Sequence, residues 1–310
     1  MTPPLDLDGV FPAMVTPFAS DDSIDFDRLR DEARRLERAG VDGLVPVGTT
    51  GESATLTHDE HVAVVEAVAE TVSIPVIAGA GSNATREAIE LAERSRAAGA
   101  DALLLISPYY NRPEPAGMEA HFRAVADAVD LPQIVYNVPG RTGRFIEIDT
   151  AAALADHENV AGYKAASGDV GRASELIERT RDEDFTVLSG EDALTLPLLA
   201  AGARGTISVA ANVEPERVVE MVHAGLDGKF DRAHERHHEL GPLFRALFWE
   251  TNPIPLKEAL AIRGHVAGNL RAPLSRLGTD HRDALERILA DLDDASTERN
   301  ERPVAPEAER

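Results

Sequence analysis

Residues 85–106, TREAIELAERSRAAGADALLLI, hold one full turn of a repeating cycle. Thr85–Ala97 is amphipathic and opens on a threonine, and Gly99 stands just past its end, where a left-handed residue is wanted. Ala102–Ile106 is a short unbroken apolar run, the pattern of a strand covered on both faces. A helix followed by a buried strand is half of a parallel α/β unit.

Working outward, the cycle recurs along most of the chain. Apolar runs at Val10–Val15, Gly43–Val47, Pro75–Ala78, Gln133–Tyr136, Val160–Lys164, Phe185–Leu188 and Gly205–Val209 join Ala102–Ile106 to make eight expected strands. Amphipathic segments lie between them at Asp27–Ala39, Asp59–Glu70, Gly117–Ala128, Ser174–Arg181 and Ala193–Ala201, with Gly40 and Gly202 past two of their ends. The spacing is about 28 residues per strand-loop-helix step, and eight such steps close a barrel. A doubly wound open sheet would have fewer strands and a glycine-rich turn after the first; here the first strand runs into Thr16-Pro17-Phe18. The stretch Gly79-Ala80-Gly81-Ser82-Asn83-Ala84 lacks the third glycine of a phosphate loop and reads as a loop-to-helix cap. After about residue 226 the alternation stops, and Lys229–Phe248, Pro255–Ile262 and Asp280–Leu292 read as helices. The expectation is an α/β fold: a (β/α)8 TIM barrel over residues 1–226, a C-terminal helical segment over 227–294, and a frayed polar tail over 295–310.

Composition narrows the function. With 54 acidic against 31 Lys and Arg side chains, the 310-residue chain carries a formal charge of −23, the wrong sign for binding nucleic acid. It has no cysteine, so disulfides, thiolate metal sites and a cysteine nucleophile are excluded. No basic leader precedes an apolar run and no stretch approaches 18 apolar residues; a soluble cytoplasmic protein without a membrane partner is expected. Only Lys164, Lys229 and Lys257 are lysines. An acidic, lysine-poor surface suits a salt-rich cytoplasm, where self-repulsion is screened, and each retained lysine needs a local explanation.

In such a barrel reactive groups gather at the carboxyl ends of the strands. Gly48-Thr49-Thr50-Gly51-Glu52-Ser53 follows the second expected strand, Ser107-Pro108-Tyr109-Tyr110-Asn111-Arg112-Pro113 the fourth, and Tyr136-Asn137-Val138-Pro139-Gly140-Arg141-Thr142-Gly143 ends the fifth. Lys164 closes the sixth. A lysine there points into the barrel mouth, where desolvation favours the neutral amine, a nucleophile toward ketones; a lysine that snorkels to water or pairs with a carboxylate is the alternative. Hydroxyls of the tyrosines and threonines could relay protons, and Arg141 suits a carboxylate. His234 and His238, four apart with no third ligand in view, read as a solvated helix face, so no metal is expected.

Together these motifs resemble the pyruvate-dependent class I aldolases of the dihydrodipicolinate synthase and N-acetylneuraminate lyase family, from Gly9-Val10-Phe11-Pro12-Ala13 to about Leu277. The order of GTTGES, YYNRP, YNVPGRTG, the strand-end lysine, Ser189-Gly190, Gly205-Thr206-Ile207-Ser208-Val209 and Asn252-Pro253-Ile254-Pro255-Leu256-Lys257 carries the resemblance. It implies a cytoplasmic lyase needing no metal or organic cofactor, assembled as a homotetramer of two tight dimers. It implies a Schiff base between Lys164 and pyruvate, with Tyr136 as acid/base, Thr49 in the proton relay and Tyr110 completing that relay across a subunit interface. Thr50, with Thr49, would hold the pyruvate carboxylate, and Gly190 and Ile207 would line the pocket. Arg141 resembles the synthase branch, where it receives the carboxylate of aspartate semialdehyde in the route to lysine and diaminopimelate. Ala165-Ala166 stands where synthases usually carry Glu-Ala, which leaves cleavage of 2-keto-3-deoxy sugar acids or sialic acid as an alternative; a non-catalytic ligand-binding barrel is another. Ser53, Ala54, Leu56, His58, His61, Asn83, Glu87 and Tyr109 match positions of a lysine feedback site, with plain dimer contact as the competing reading.

Overall fold

The computed structural model describes residues 5–266 and 268–300. Among these residues, seven parallel strands, β1 (Gly9–Pro12), β2 (Ile77–Gly79), β3 (Ala102–Ile106), β4 (Gln133–Asn137), β5 (Val160–Ala165), β6 (Thr186–Ser189) and β7 (Gly205–Ser208), lie in the order β1-β7-β6-β5-β4-β3-β2. The second expected strand is not a full strand. It survives as two parallel bridges, Ala13 with Val45 and Leu44 with Val76, reinforced by Val45 N donating to Pro12 O and Ile77 N to Leu44 O at 2.9 and 2.8 Å. Two features cut it short. Pro46 has no N–H to give, and Val47 turns to φ +51°, a costly value for a β-branched residue. These bridges close the gap between β1 and β2, and the chain forms an α/β barrel.

Among the described residues, nine α-helices accompany this cylinder: α1 (Phe26–Arg38), α2 (His58–Ala69), α3 (Thr85–Ala97), α4 (Pro115–Ala128), α5 (Pro139–Thr142), α6 (Ile148–Ala155), α7 (Val170–Arg179), α8 (Thr195–Ala200) and α9 (Pro215–Leu226). Local chemistry starts and stops them. Asp25 accepts from Arg28 N at the head of α1, and Thr57 and Glu60 form a capping box on α2, each satisfying backbone donors that have no partner within the helix. Gly40 and Gly99 leave α1 and α3 at φ +83° and +94°. The helix expected over Ala193–Ala201 begins as a separate tight turn, Asp192–Leu194, before α8, because the Asp192 carboxylate is drawn toward the end of β7.

Strand alternation divides the apolar side chains into two layers. Phe11, Ile77, Leu104, Ile134, Leu188 and Ile207 fill the cylinder, and Val10, Leu103, Val135 and Val187 face the helices. Among the described residues three more helices follow, α10 (Phe230–Ala246), α11 (Ile254–Ile262) and α12 (Thr279–Asn300). α12 runs through the start of the expected tail; residues 301–310 lie outside the described residues. No helix among the described residues is long and apolar enough to cross a membrane.

Candidate active site

Lys164 is the penultimate residue of β5, and the alternation that sends Tyr163 outward turns Lys164 inward. Its register partners are Tyr136 on β4 and Leu188 on β6. The side chain is buried, and its Nζ lies 4.1 Å from the centre of the Tyr136 ring. Among the described residues this nitrogen has no hydrogen bond or ion pair. Burial pushes its pKa from 10.5 down to about 7, with Asp192 opposing the shift and Arg141 adding to it. The same burial lifts the Tyr136 phenol to about 12, against the pull of Arg141 and of a hydrogen bond to Thr49. The mouth thus holds an amine that is neutral for much of the time near pH 7 and a phenol that keeps its proton.

Thr49 and Thr50 ride on a strained loop. Val47 and Glu52, at φ +51° and +55°, bracket it, and Thr16 Oγ1 donates to Gly51 O at 2.7 Å. Left-handed backbone at non-glycine residues persists only where surroundings over-determine it, and here the C-terminal segment does so. Asn252 Nδ2 donates to Thr50 Oγ1 at 2.9 Å. Lys257 Nζ sits 2.5 Å from Glu52 Oε1, in a pair 1 % and 0 % exposed, and Arg271 N donates to Glu52 Oε2 at 3.1 Å. The exposed Arg141 is steered to the same place, its Nη2 donating to Asn252 O at 3.1 Å. The sequence alone assigns no role to Glu52 or Asn252, although both lie inside motifs that carry the family resemblance.

At the same rim, Gly190 follows β6 because only a hydrogen fits there. A Cβ at Gly190 would stand 2.9 Å from Lys164 Cε, 3.0 Å from its Cγ and 2.8 Å from Ala166 Cβ. Ile207 projects into the barrel interior from β7 and is buried. Between them Asp192, 3 % exposed, accepts from Ser208 Oγ and from Val209 N and Ala210 N at 3.1 and 2.9 Å. Sequence reading passed over Asp192, whose only signal is an acid opening an otherwise apolar stretch.

A cavity of about 490 Å³ opens beside this centre and is lined by Thr49, Tyr136, Arg141 and Asn252. It extends to Ser53, Ala54, Leu56, His58, His61, Glu87 and Tyr109. His61 Nε2 meets Gly79 O at 2.6 Å and burial pushes its pKa down to about 4, so the ring is neutral and donates. Glu87 pairs with His58 at 3.0 Å and with Ser82. Asn83 is placed differently: its Oδ1 accepts from Tyr109 N and Tyr110 N at 2.8 and 3.1 Å, so it shapes the tyrosine loop. Tyr110 points away from its own barrel and is 88 % exposed. The His234 and His238 rings stack 6.2 Å apart, and among the described residues no three His, Asp or Glu side chains are grouped to hold a metal.

Residues 6–292 match the model of the dihydrodipicolinate synthetase family. The chain is 66 % identical over 290 residues to the 4-hydroxy-tetrahydrodipicolinate synthase of Haloarcula marismortui, spanning 93 % of this chain and 95 % of the relative. It is 65 % identical to the synthase of the same name from Natronomonas pharaonis, over 92 % of this chain and 97 % of that one. Among solved structures, the 4-hydroxy-tetrahydrodipicolinate synthase of Methylacidiphilum fumariolicum superposes with a TM-score of 0.92 at 42 % identity, over 95 % of this chain and 99 % of that one.

Proposed function

The chain belongs to the dihydrodipicolinate synthetase family, and from that premise we infer that it condenses pyruvate with L-aspartate 4-semialdehyde to 4-hydroxy-tetrahydrodipicolinate, a step of lysine and diaminopimelate synthesis. The observation that carries the reading is the inward Lys164 amine, buried and 4.1 Å from the Tyr136 ring. A lysine shielded from water and from ion pairs is the form that attacks a ketone.

In this reading Lys164 Nζ adds to the pyruvate carbonyl carbon, and loss of water gives an iminium. Loss of a methyl proton turns the iminium into an enamine, whose carbon attacks the aldehyde. The substrate's own amine then attacks the imine carbon, displaces Lys164 and closes the ring, so that one water is released overall. Tyr136 carries protons through its neutral phenol, with Thr49 as its neighbour in the relay. Thr50 holds the pyruvate carboxylate beside Gly190 and Ile207, and Arg141 receives the carboxylate of the semialdehyde. The outward Tyr110 fits a homotetramer of tight dimers in which the partner subunit's Tyr110 completes the relay. The acidic surface suits a cytoplasmic enzyme in high salt. Barrel residues 1–226 supply the chemistry, and the helical segment 227–294 braces the threonine loop. The wall around His58, His61 and Glu87 is a candidate site for lysine as a feedback ligand.

Borohydride reduction with labelled pyruvate, followed by mass spectrometry, tests this directly. One adduct on Lys164, with turnover of pyruvate plus aspartate semialdehyde exceeding cleavage of a keto-deoxy sugar acid, is the expected result. Absence of the adduct, or label elsewhere, sinks the reading.

A further inference from the structure

Five carboxylates are buried among the described residues: Glu32, Glu52, Asp192, Glu214 and Glu258. Four meet a lysine or arginine within 4.0 Å, through Arg35, Lys257, Arg217 and Arg282. Asp192 does not. Of the two buried lysines, Lys257 is paired and Lys164 is not. The fold therefore leaves one buried carboxylate and one buried amine without contact partners of opposite charge, and it places both at the same rim of the barrel. Lys164 is the penultimate residue of β5, Asp192 opens the turn after β6, and Gly190 between them lies against the Lys164 stem.

We propose that Asp192 is a positioning residue that supplies the standing counter-charge for the Lys164 Schiff base. This rests on the Schiff-base reading above. Lys164 begins as a neutral amine and ends as a cationic iminium, so a positive charge is created in a dry site next to Arg141. A carboxylate in contact would hold the lysine as ammonium and stop it attacking; one held farther off lets the amine form and still stabilises the cation. Burial raises the Asp192 pKa above the ordinary carboxylate value, and Ser208 Oγ and the Val209 and Ala210 N–H groups act against that rise by stabilising the carboxylate. Each group raises the other's tendency to ionise. The titratable or charged groups around Lys164 are Tyr136 from β4, Arg141 from the turn after it, and Asp192 beyond β6.

The experiment is pyruvate trapping by borohydride across pH 5–9 in the full-length protein, wild type beside Asp192→Asn. Asparagine keeps the shape and can still accept the two backbone donors. Removing the negative charge is expected to move the acid limb of adduct formation to lower pH by about one unit, and to reduce turnover at the plateau about tenfold. Loss of structure alone would lower the yield at every pH without moving the limb. Ser208→Ala, which removes one donor and leaves two, is expected to shift the limb the same way by less, and it serves if Asp192→Asn does not fold. A limb unmoved in the soluble variant overturns the role of Asp192, whereas a wild-type chain that is never trapped at Lys164 overturns the Schiff-base reading itself.

Discussion

Lys164 and Tyr136 are direct register partners on neighbouring strands, and the lysine nitrogen lies over the tyrosine ring at 4.1 Å. One burial moves the two groups in opposite directions, the amine down to about 7 and the phenol up to about 12. The expected consequence is a single acid limb. The rate of pyruvate adduct formation should rise about tenfold per pH unit below pH 7 and level off above it, because only the free amine attacks. Stopped-flow measurement of imine formation checks this; a limb centred near 10 would mean an ordinary exposed lysine.

Gly190→Ala should act on Lys164 without touching any polar group. The new Cβ enters space held by Lys164 Cε and Ala166 Cβ, so the amine is displaced. A turnover loss of about a hundredfold is expected from such a misplacement, with a stability cost of about 1–3 kcal/mol for overpacking. Steady-state kinetics and a denaturant midpoint read the two effects separately.

Asn252 holds Thr50 with its side chain but Arg141 with its backbone carbonyl. Asn252→Ala should therefore raise the pyruvate KM about tenfold, the cost of about one hydrogen bond, and leave the semialdehyde KM little changed. Equal effects on both substrates would show that the side chain does not act through Thr50.

The Glu52–Lys257 pair accounts for one of the three retained lysines. Glu52→Gln leaves a buried ammonium uncompensated and should cost about 3–5 kcal/mol in chemical denaturation, while adding Lys257→Met should recover most of it. Added salt should not rescue the single variant, since buried pairs are little screened.

His121 is buried on α4, with Nδ1 2.9 Å from Thr85 Oγ1, and burial lowers its pKa from 6.5 to about 4. Between those values the unfolded chain binds a proton that the folded chain refuses. Its contribution is thus intact above pH 6.5 and lost as pH falls toward 4, about 2 kcal/mol of it by pH 5. His61 adds a loss of the same sign. Denaturant midpoints at pH 7 and pH 5 should differ less in His121→Leu than in wild type, and an undiminished gap would count against a buried neutral ring.

Much of the barrel was legible along the chain. Runs such as Ala102–Ile106 and helices such as Thr85–Ala97 appear where the periodicity puts them, because a parallel strand covered on both faces must be apolar throughout. The threonine loop, the strand-end lysine and Arg141 were legible too, since each is local: a motif at a strand end. Harder to see was the second strand, shortened by Pro46 and by the turn at Val47, and the Asp192 turn, which the Ala193–Ala201 pattern concealed.

What the sequence determined by itself is the set of parts and their order, since periodicity, caps and motif spacing act between residues close along the chain. Which charges meet, and which are kept apart, was decided only by the tertiary structure. Glu52 finds Lys257 and Asn252 finds Thr50 across about two hundred residues, and Lys164 is left bare because closing the cylinder carries it away from water and from every contact ion partner. Desolvation is a property of the closed barrel, and no stretch of chain possesses it alone.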